Sequence, residues 1–397
     1  MGVSMTGSHY HAASGVAIGV DRRSCVTSAG GRQTMDETDE TDALPARLVA
    51  WLATRLPDAR DLRISGLRKP GAGLSSDTQL FTIHWRDAAG TGASATGAEQ
   101  RLDAVLRCAP RSDGPFPEYD LAMQFGIMRQ LGAHTTVPVP EVLWQEEDPS
   151  WLGVPFLTMK AVEGEPPLDW PAYHASGFYA DMKEAERRRL WRATIDAVAK
   201  LHAVDWRAVG LDFVPGGRPG DDPQRHLLQY WRRYLDAWIK DDPKEVIPVY
   251  DEALDWLERN RPECPRPTLV WGDAKLGNVL YRVASGEVAA VIDWEIAMIG
   301  DPQVDLASLQ ISDLRAQQSA GTCLPGTPAE SELIALYERA TGEKLRSWRW
   351  AMLYSAFWRG AVTIKVMRRM KAQGHAISDE MLANHFPVDL MRGLLAG

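Results

Sequence analysis

Apolar residues in the first part of the chain alternate with polar ones over short stretches, a pattern that predicts β-strands. Two stretches, Leu44–Leu56 and Tyr119–Leu131, instead repeat apolar residues at helical spacing. The predicted strands are Arg63–Lys69, Thr78–Trp85, Leu102–Arg107, Val142–Gln145 and Phe156–Val162. This part of the chain therefore predicts a strand-rich, antiparallel-leaning lobe that contains few helices.

After Trp170 the pattern changes to a repeat that is typical of amphipathic helices. The predicted helices centre on Leu190–Leu201, Arg225–Ile239, Tyr250–Asn260, Ser331–Thr341 and Trp348–Gln373. Two short β-type segments, Thr268–Tyr281 and Val288–Trp294, interrupt them around a loop. We therefore predict an α+β fold with a strand-rich lobe over residues 43–162 and a mainly helical lobe over residues 163–397.

Composition narrows the function classes. The chain has 397 residues and a formal net charge of −9, which argues against a general nucleic-acid or anionic-membrane binder. Four cysteines without zinc-site spacing favour a reducing cytoplasm over a disulfide framework. Residues 1–42 are Gly-, Ser- and Thr-rich and end in an acidic run, so we predict a disordered tail, with Met35 as an alternative start to Met1.

Three oxygen-bearing side chains lie at the ends of the two short β-segments. Asp273 and Asn278 flank one loop, and Asp293 ends the following apolar strand. Phosphoryl transfer requires a carboxylate that orients the attacking hydroxyl and oxygen ligands that hold magnesium on the phosphates. Single residues of these types are usually turn formers, but three at this spacing predict a phosphoryl-transfer centre that uses ATP and Mg2+.

The segments WGDAKLGNVLY and VIDWEIAMIGDPQVDLA, which begin at Trp271 and Val291, resemble the aminoglycoside phosphotransferase family of the protein-kinase-like fold. The similarity is greatest to the branch associated with acyl-CoA dehydrogenases. The resemblance implies a bilobal kinase-like fold with Asp273 as catalytic base and with Asn278 and Asp293 as magnesium ligands. By the same resemblance, Asp301 and Asp305 anchor the loop. Glu295 is either a further metal-side acid or a salt-bridge partner.

The nucleotide side of the predicted site departs from this family. The loop from Lys69 to Thr78 is a candidate phosphate cradle because glycine backbone and serine hydroxyls can approach phosphates. Its candidate residues are Gly71, Gly73, Ser75 and Ser76. Arg107 stands where the family usually has Lys, and Gln124 falls near the position of its partner acid. Asp120, one turn earlier, is an alternative partner for Arg107.

Some candidates have more than one interpretation. Met159 and Ala161 lie where the family places the adenine-binding hinge, although Met159 is equally explained as a core residue. Lys275 either contacts the γ-phosphate or the substrate, or is solvated. Trp271 and His202 are predicted to be structural, since each belongs to an apolar segment.

The acceptor is predicted from charge alone. Residues 331–397 contain ten Lys and Arg against six Asp and Glu, a net of +4, which favours a neutral or anionic hydroxylated small molecule, such as a hydroxyacyl compound, over a polycationic aminoglycoside. A nucleotide-binding pseudo-enzyme that regulates a partner is the alternative. A protein kinase is disfavoured because little chain separates Asp293 from the GDPQVDLA segment.

Overall fold

A computed structural model describes residues 37–70, 77–87, 98–111, 114–239 and 247–397. Residues 44–397 form one compact unit. Most of the predicted tail lies outside the described residues, but its last six residues are helical, contrary to the prediction, because helix α1 begins at Glu37. The helix predicted at Leu44–Leu56 therefore begins earlier than predicted.

The strand-rich lobe is an antiparallel five-stranded sheet in the order β1-β2-β3-β5-β4. All five strands were predicted, within a few residues at their ends. Its elements are α1 (Glu37–Arg55), β1 (Ala59–Arg68), β2 (Asp77–Asp87), β3 (Glu99–Cys108), α2 (Leu121–His134), β4 (Val142–Glu146) and β5 (Phe156–Lys160).

Helix α1 packs on this sheet through its apolar stripe. Leu48, Trp51 and Leu52 are fully buried and share a core with Phe81 and Phe156 from the sheet. The rings of Trp51 and Phe156 meet edge to face at 4.7 Å, a favourable geometry for aromatic side chains. This packing holds the sheet whose third strand carries Arg107.

The second lobe is mainly helical, and two short ladders, β6–β9 and β7–β8, carry the predicted catalytic segments. Its helices are α3 (Phe178–Asp181), α4 (Glu184–His202), α5 (Pro223–Tyr234), α6 (Pro248–Arg259), α7 (Gln303–Ala320), α8 (Glu330–Thr341), α9 (Trp348–Ala372), α10 (Asp379–Ala383) and α11 (Phe386–Ala396). Its strands are β6 (Thr268–Val270), β7 (Val279–Arg282), β8 (Glu287–Val291) and β9 (Met298–Gly300). A π-helical turn, Leu235–Ile239, extends α5.

Aromatic residues fill the centre of the helical lobe. Trp231 is fully buried, stacks on Trp358, and donates its indole N–H to the hydroxyl of Tyr354 at 2.8 Å. Phe357 packs in the same cluster. The prediction that such tryptophans serve packing is confirmed for Trp231. Within the described ranges, no helix combines the length and apolarity that a membrane span requires.

Candidate active site

The segment that joins β6 to β7 forms the predicted catalytic loop. Trp271 and Gly272 follow β6, and a 3-10 turn over Leu276–Asn278 leads into β7. Gly272 has φ +90°, and a Cβ there would collide with the backbone of Ile296. The loop can therefore pass close to the neighbouring chain only with glycine before Asp273.

Asp305, near the start of α7, anchors this loop. Its fully buried carboxylate accepts the backbone N–H of Trp271 at 2.7 Å and that of Gly272 at 2.8 Å, and lies 3.0 Å from Nε2 of His202. His202 is also 2.8 Å from the Tyr337 hydroxyl through Nδ1. His202 is thus a buried structural residue with both nitrogens partnered.

Asp301, for which the resemblance implied a similar role, binds elsewhere. Its carboxylate accepts the backbone N–H of Gln303 at 3.0 Å and the side-chain amide of the same residue at 3.1 Å. Burial raises the pKa of Asp301, although these hydrogen bonds oppose the change. Asp301 therefore shapes the start of α7, and the loop contacts come from Asp305.

Asp273 is held from two sides. The side-chain amide of Asn278 donates to Oδ2 of Asp273 at 3.0 Å and to its backbone carbonyl at 3.0 Å. Nη2 of Arg359, from α9, donates to Oδ1 at 2.8 Å. Burial alone would raise the pKa of Asp273, but the charges of Arg359 and Lys275 outweigh it and lower the pKa. The carboxylate is therefore kept ionised.

Lys275 lies inside this network rather than in solvent, which rules out the solvated alternative. Its Nζ is 2.8 Å from Oδ2 of Asp169 and 3.9 Å from Oδ2 of Asp273. Burial would lower the pKa of Lys275, but the two carboxylates raise it. Asp169 approaches the loop closely because residue 277 is glycine, where a Cβ would stand 2.8 Å from its Oδ1.

The predicted metal-side residues Asn278 and Asp293 lie on adjacent backbone. The N–H of Ile292 donates to the carbonyl of Asn278 at 3.0 Å, and the indole of Trp271 donates to the carbonyls of Ile292 and Asp293 at 2.9 and 3.2 Å. Asp293 has φ +69°, a conformation that non-glycine residues adopt mainly where the surroundings enforce it. Trp271, fully buried, is structural as predicted.

Arg107 is paired with neither of the residues considered for it. Its Nη2 contacts Asp293 at 2.7 Å and Glu295 at 3.1 Å. Asp120 instead caps α2 by accepting the N–H of Met123, and the amide nitrogen of buried Gln124 has no partner within the described part of the chain. Because α2 provides no acid to Arg107, the buried guanidinium pairs with the carboxylates of Asp293 and Glu295 in the other lobe.

Glu295 is thus a salt-bridge partner of Arg107, one of its two predicted alternatives. For Arg107 itself, burial would lower the pKa, whereas the two carboxylates raise it. The salt bridges of Arg107 join β3 of the sheet to the segment that follows β8. Arg107 therefore connects the two lobes at the site itself.

The hinge candidates Met159 and Ala161 lie in and just after strand β5 of the sheet. Met159 in β5 is buried and belongs to the main core cluster, which favours its interpretation as a core residue. The N–H of Ala161 donates to the carbonyl of Asp103 at 2.9 Å. That donor is already used, so Ala161 cannot offer its amide to an adenine edge in this conformation. The phosphate-cradle residues Gly71, Gly73, Ser75 and Ser76 lie outside the described residues.

Two site residues, Arg359 and Asp169, were not singled out from the sequence. Arg359 had contributed only to the positive charge count of residues 331–397, and nothing in the local sequence marks Asp169. Their contacts span 86 and 106 residues of chain, so only the folded structure brings them to the loop.

The donor set suits magnesium. Asn278 uses its amide nitrogen on Asp273, which leaves its amide oxygen available to a metal ion, and Asp293 has a carboxylate. Magnesium takes hard oxygen ligands and commonly needs only one or two protein groups besides waters and phosphate oxygens. The described residues contain no cluster of three or more His, Cys, Asp or Glu with metal-binding geometry.

Comparison with known proteins identifies the family and the fold. The model of the phosphotransferase enzyme family matches residues 89–353. Among curated relatives, probable acyl-CoA dehydrogenase IBR3 of Arabidopsis thaliana is 28% identical over 70% of this chain, and acyl-CoA dehydrogenase family member 10 of Mus musculus is 28% identical over 69%. The matches cover 35% and 25% of those relatives, so the chain spans about a third of their length or less.

Solved structures show the same fold. A Ralstonia eutropha protein, provisionally named an aminoglycoside phosphotransferase, superposes with a TM-score of 0.62 at 22% identity, covering 88% of this chain and 97% of that one. A thermostable mutant of aminoglycoside phosphotransferase APH(4)-Ia, in a ternary complex with ADP and hygromycin B, gives 0.52 at 17% identity, with 88% and 98% covered. The predicted bilobal kinase-like α+β fold is confirmed.

Proposed function

Because this chain belongs to the phosphotransferase enzyme family, we propose that it is a small-molecule kinase that transfers the γ-phosphate of ATP to a hydroxyl group. The observation that carries the proposal is the arrangement around Asp273. An ionised, half-buried carboxylate is fixed by Asn278, and the backbone of Asn278 is bonded to the strand end that carries Asp293. A base and two oxygen ligands thus share one small framework.

In the proposed reaction, Asp273 orients the acceptor hydroxyl and takes its proton. The alcohol oxygen forms a bond to the γ-phosphorus as the bond to the β-phosphate oxygen breaks, and ADP leaves with that electron pair. Positioning and charge stabilisation account for most of the catalysis in such transfers. Asn278 and Asp293 would hold magnesium, which neutralises phosphate charge when bound.

The phosphates require a cation from the sheet, and Arg107 is our candidate. Its guanidinium already lies beside Asp293, where the phosphates and the metal would meet. Arginine can bind phosphate oxygens with a bidentate fork that lysine lacks. Gly71, Gly73, Ser75 and Ser76 would cover the phosphates from the β1–β2 connection.

The identity of the nucleotide, ATP, is proposed from a solved structure with the same fold. The APH(4)-Ia neighbour was crystallised with ADP, which supports an adenine nucleotide for this chain. The same complex contains hygromycin B, a hydroxylated small molecule. We propose no antibiotic acceptor for this chain, since two cations, Arg359 and Lys275, flank its base. A cationic aminoglycoside would be repelled there.

A transfer screen tests the proposal. The full chain is incubated with Mg2+ and γ-labelled ATP, or labelled GTP in parallel, over a panel of hydroxylated metabolites, while thermal-shift titration measures nucleotide binding. A kinase gives label in at least one alcohol. Nucleotide binding with no transfer to any alcohol would favour a regulatory pseudo-enzyme instead.

A further inference from the structure

We propose that Arg359 binds a negatively charged group of the acceptor, so that the substrate is an alcohol carrying a carboxylate or phosphate near its reactive hydroxyl. This inference rests on the proposed function, because it assigns a substrate class to that same site. It is carried by how Arg359 is held and by which charges surround it.

Arg359 reaches the base from α9 through one nitrogen. Nη2 donates to Asp273 at 2.8 Å, to the hydroxyl of Ser308 at 2.6 Å and to the carbonyl of Ala274 at 3.2 Å. The Ser308 hydroxyl in turn donates to the Ala274 carbonyl at 3.0 Å. Because Nη2 is bonded to the carboxylate of Asp273, an alcohol bonded to that carboxylate would lie beside this guanidinium.

The guanidinium has binding capacity that its neighbours leave unused. Nε of Arg359 is buried and has no hydrogen-bond partner in the part of the chain that the structure describes. Buried guanidinium N–H groups are costly to leave unpaired. Nε itself is shielded from solvent, and a ligand approaches the side chain through its accessible part, about 15% of its surface. A planar fork of N–H donors is the group best suited to bind carboxylate or phosphate oxygens.

The neighbouring cation, Lys275, is satisfied differently. It has a dedicated counter-ion in Asp169 at 2.8 Å and lies 3.9 Å from Asp273. Among the ion pairs of the described residues, the carboxylate partner of Arg359 is Asp273 itself. When Asp273 takes the hydroxyl proton, Arg359 therefore loses the counter-charge that it contacts directly, whereas Lys275 keeps its direct contact with Asp169.

An anionic acceptor would supply the missing charge. Its oxygen atoms would take donors of Arg359 and weaken the hold of Arg359 on Asp273. Substrate binding and activation of the base would be coupled through a single side chain.

The wider charge pattern favours the same substrate class. The charge of Arg315 on α7 acts on Arg359 and contributes to lowering its pKa. Arg359 thus interacts with the charges of two other cations, Lys275 and Arg315. An acceptor with a negative group balances this set, and an acceptor with ammonium groups adds to its excess.

Paired acceptors test the inference. With the full chain and Mg-ATP, initial rates are measured for short hydroxycarboxylates of varied hydroxyl-to-carboxylate spacing, each beside its uncharged carboxamide, and for glycerol phosphate beside glycerol. We expect the anionic member to have a kcat/KM at least tenfold higher in at least one pair. The carboxylate and phosphate arms identify which anion is preferred.

Variants assign the preference to Arg359. Arg359→Gln is expected to raise KM for the anionic member and to bring the pair within about twofold, because the fork of N–H donors is lost. Arg359→Lys, which keeps the charge and the fold, should retain part of the preference. Arg339→Gln on the exposed face of α8 removes the same charge away from the loop and should change nothing.

Some results would overturn the inference alone. Equal or higher kcat/KM for the uncharged member in every reacting pair would do so, as would a preference that survives in Arg359→Gln. In either case transfer to alcohols still occurs, and the proposed function stands. Nucleotide binding without transfer to any alcohol, charged or uncharged, would instead contradict the proposed function, and the inference would fall with it.

Discussion

Two acids at the centre of this protein are each held by an arginine, and the two arginines come from opposite lobes. Asp273 is bonded by Arg359 of helix α9, and Asp293 is bonded by Arg107 of strand β3. Asp273 is also fixed by Asn278 within its own loop, whereas Asp293 shares its arginine with Glu295. In the proposed reaction, the acceptor side of the site, around Asp273, is therefore built within the helical lobe. The phosphate side, around Asp293, is formed by residues of both lobes.

The strongest test of the phosphate side is Asp293→Asn. Loss of this carboxylate should lower turnover about 10²–10³-fold, as expected when a charged group that stabilises transferring phosphate is removed, and should raise the Mg2+ concentration that half-saturates the enzyme. Glu295→Gln is the matched control, since Glu295 shares Arg107. If the two variants change the Mg2+ dependence equally, the assignment of Asp293, rather than Glu295, as a magnesium ligand is wrong.

The acceptor side depends on its anchor, Asp305. Asp305→Ala should destabilise the fold by about 3 kcal/mol, because it leaves the buried N–H groups of Trp271 and Gly272 and the His202 ring without their acceptor. Chemical denaturation measures this change. Asp301→Ala is the comparison, because the carboxylate of Asp301 binds Gln303 rather than the loop. If Asp301→Ala lost more activity than Asp305→Ala, the anchoring role of Asp305 would be contradicted.

Arg107 tests the connection between lobes. Arg107→Gln should weaken Mg-ATP binding about tenfold, through loss of phosphate contact, and Arg107→Lys should recover part of that affinity by restoring the charge. Isothermal titration with a non-hydrolysable ATP analogue measures both. Unchanged affinity in Arg107→Gln would make the Arg107–Asp293 pair purely structural.

The smallest expected effect is in the pH profile. The pKa of Asp273 is lowered from 3.8, so Asp273 is ionised throughout neutral and mildly acidic pH, and its contribution to stability is lost only as pH falls through the folded-state pKa. With an uncharged acceptor, kcat/KM should therefore show no acidic limb from Asp273 between about pH 5 and 8. A limb near pH 6 that moves in Arg359→Gln would contradict this lowered pKa.

The sequence predicted what is local. Asp273, Asn278 and Asp293 lie within one short stretch, and their chemistry could be inferred from spacing. The strands of the sheet were predicted because their apolar alternation is strong. The partners of Arg107 lie 186 and 188 residues away, and no pattern along the chain could show that its acids would come from across the cleft rather than from α2.

Helix α7 shows why part of the fold was missed. It is buried on nearly all sides, and its buried residues include the polar Asp305, Ser308 and Asp313, so it has no apolar stripe that would mark a helix. Asp313 is satisfied by the Tyr173 hydroxyl at 2.6 Å and by His174 at 3.0 Å. Polar groups buried for hydrogen bonding conceal helical periodicity, and three-residue strands such as β9 are too short to show any.

The most direct measurement of the central claim compares wild type with Asp273→Asn in γ-phosphate transfer to an alcohol, with Mg-ATP affinity measured on both. If Asp273 is the base, kcat falls about 10²–10⁴-fold while the nucleotide dissociation constant changes little, since Asp273 is held by Arg359 and Asn278 rather than by the phosphate side. Unchanged kcat in Asp273→Asn would contradict the account.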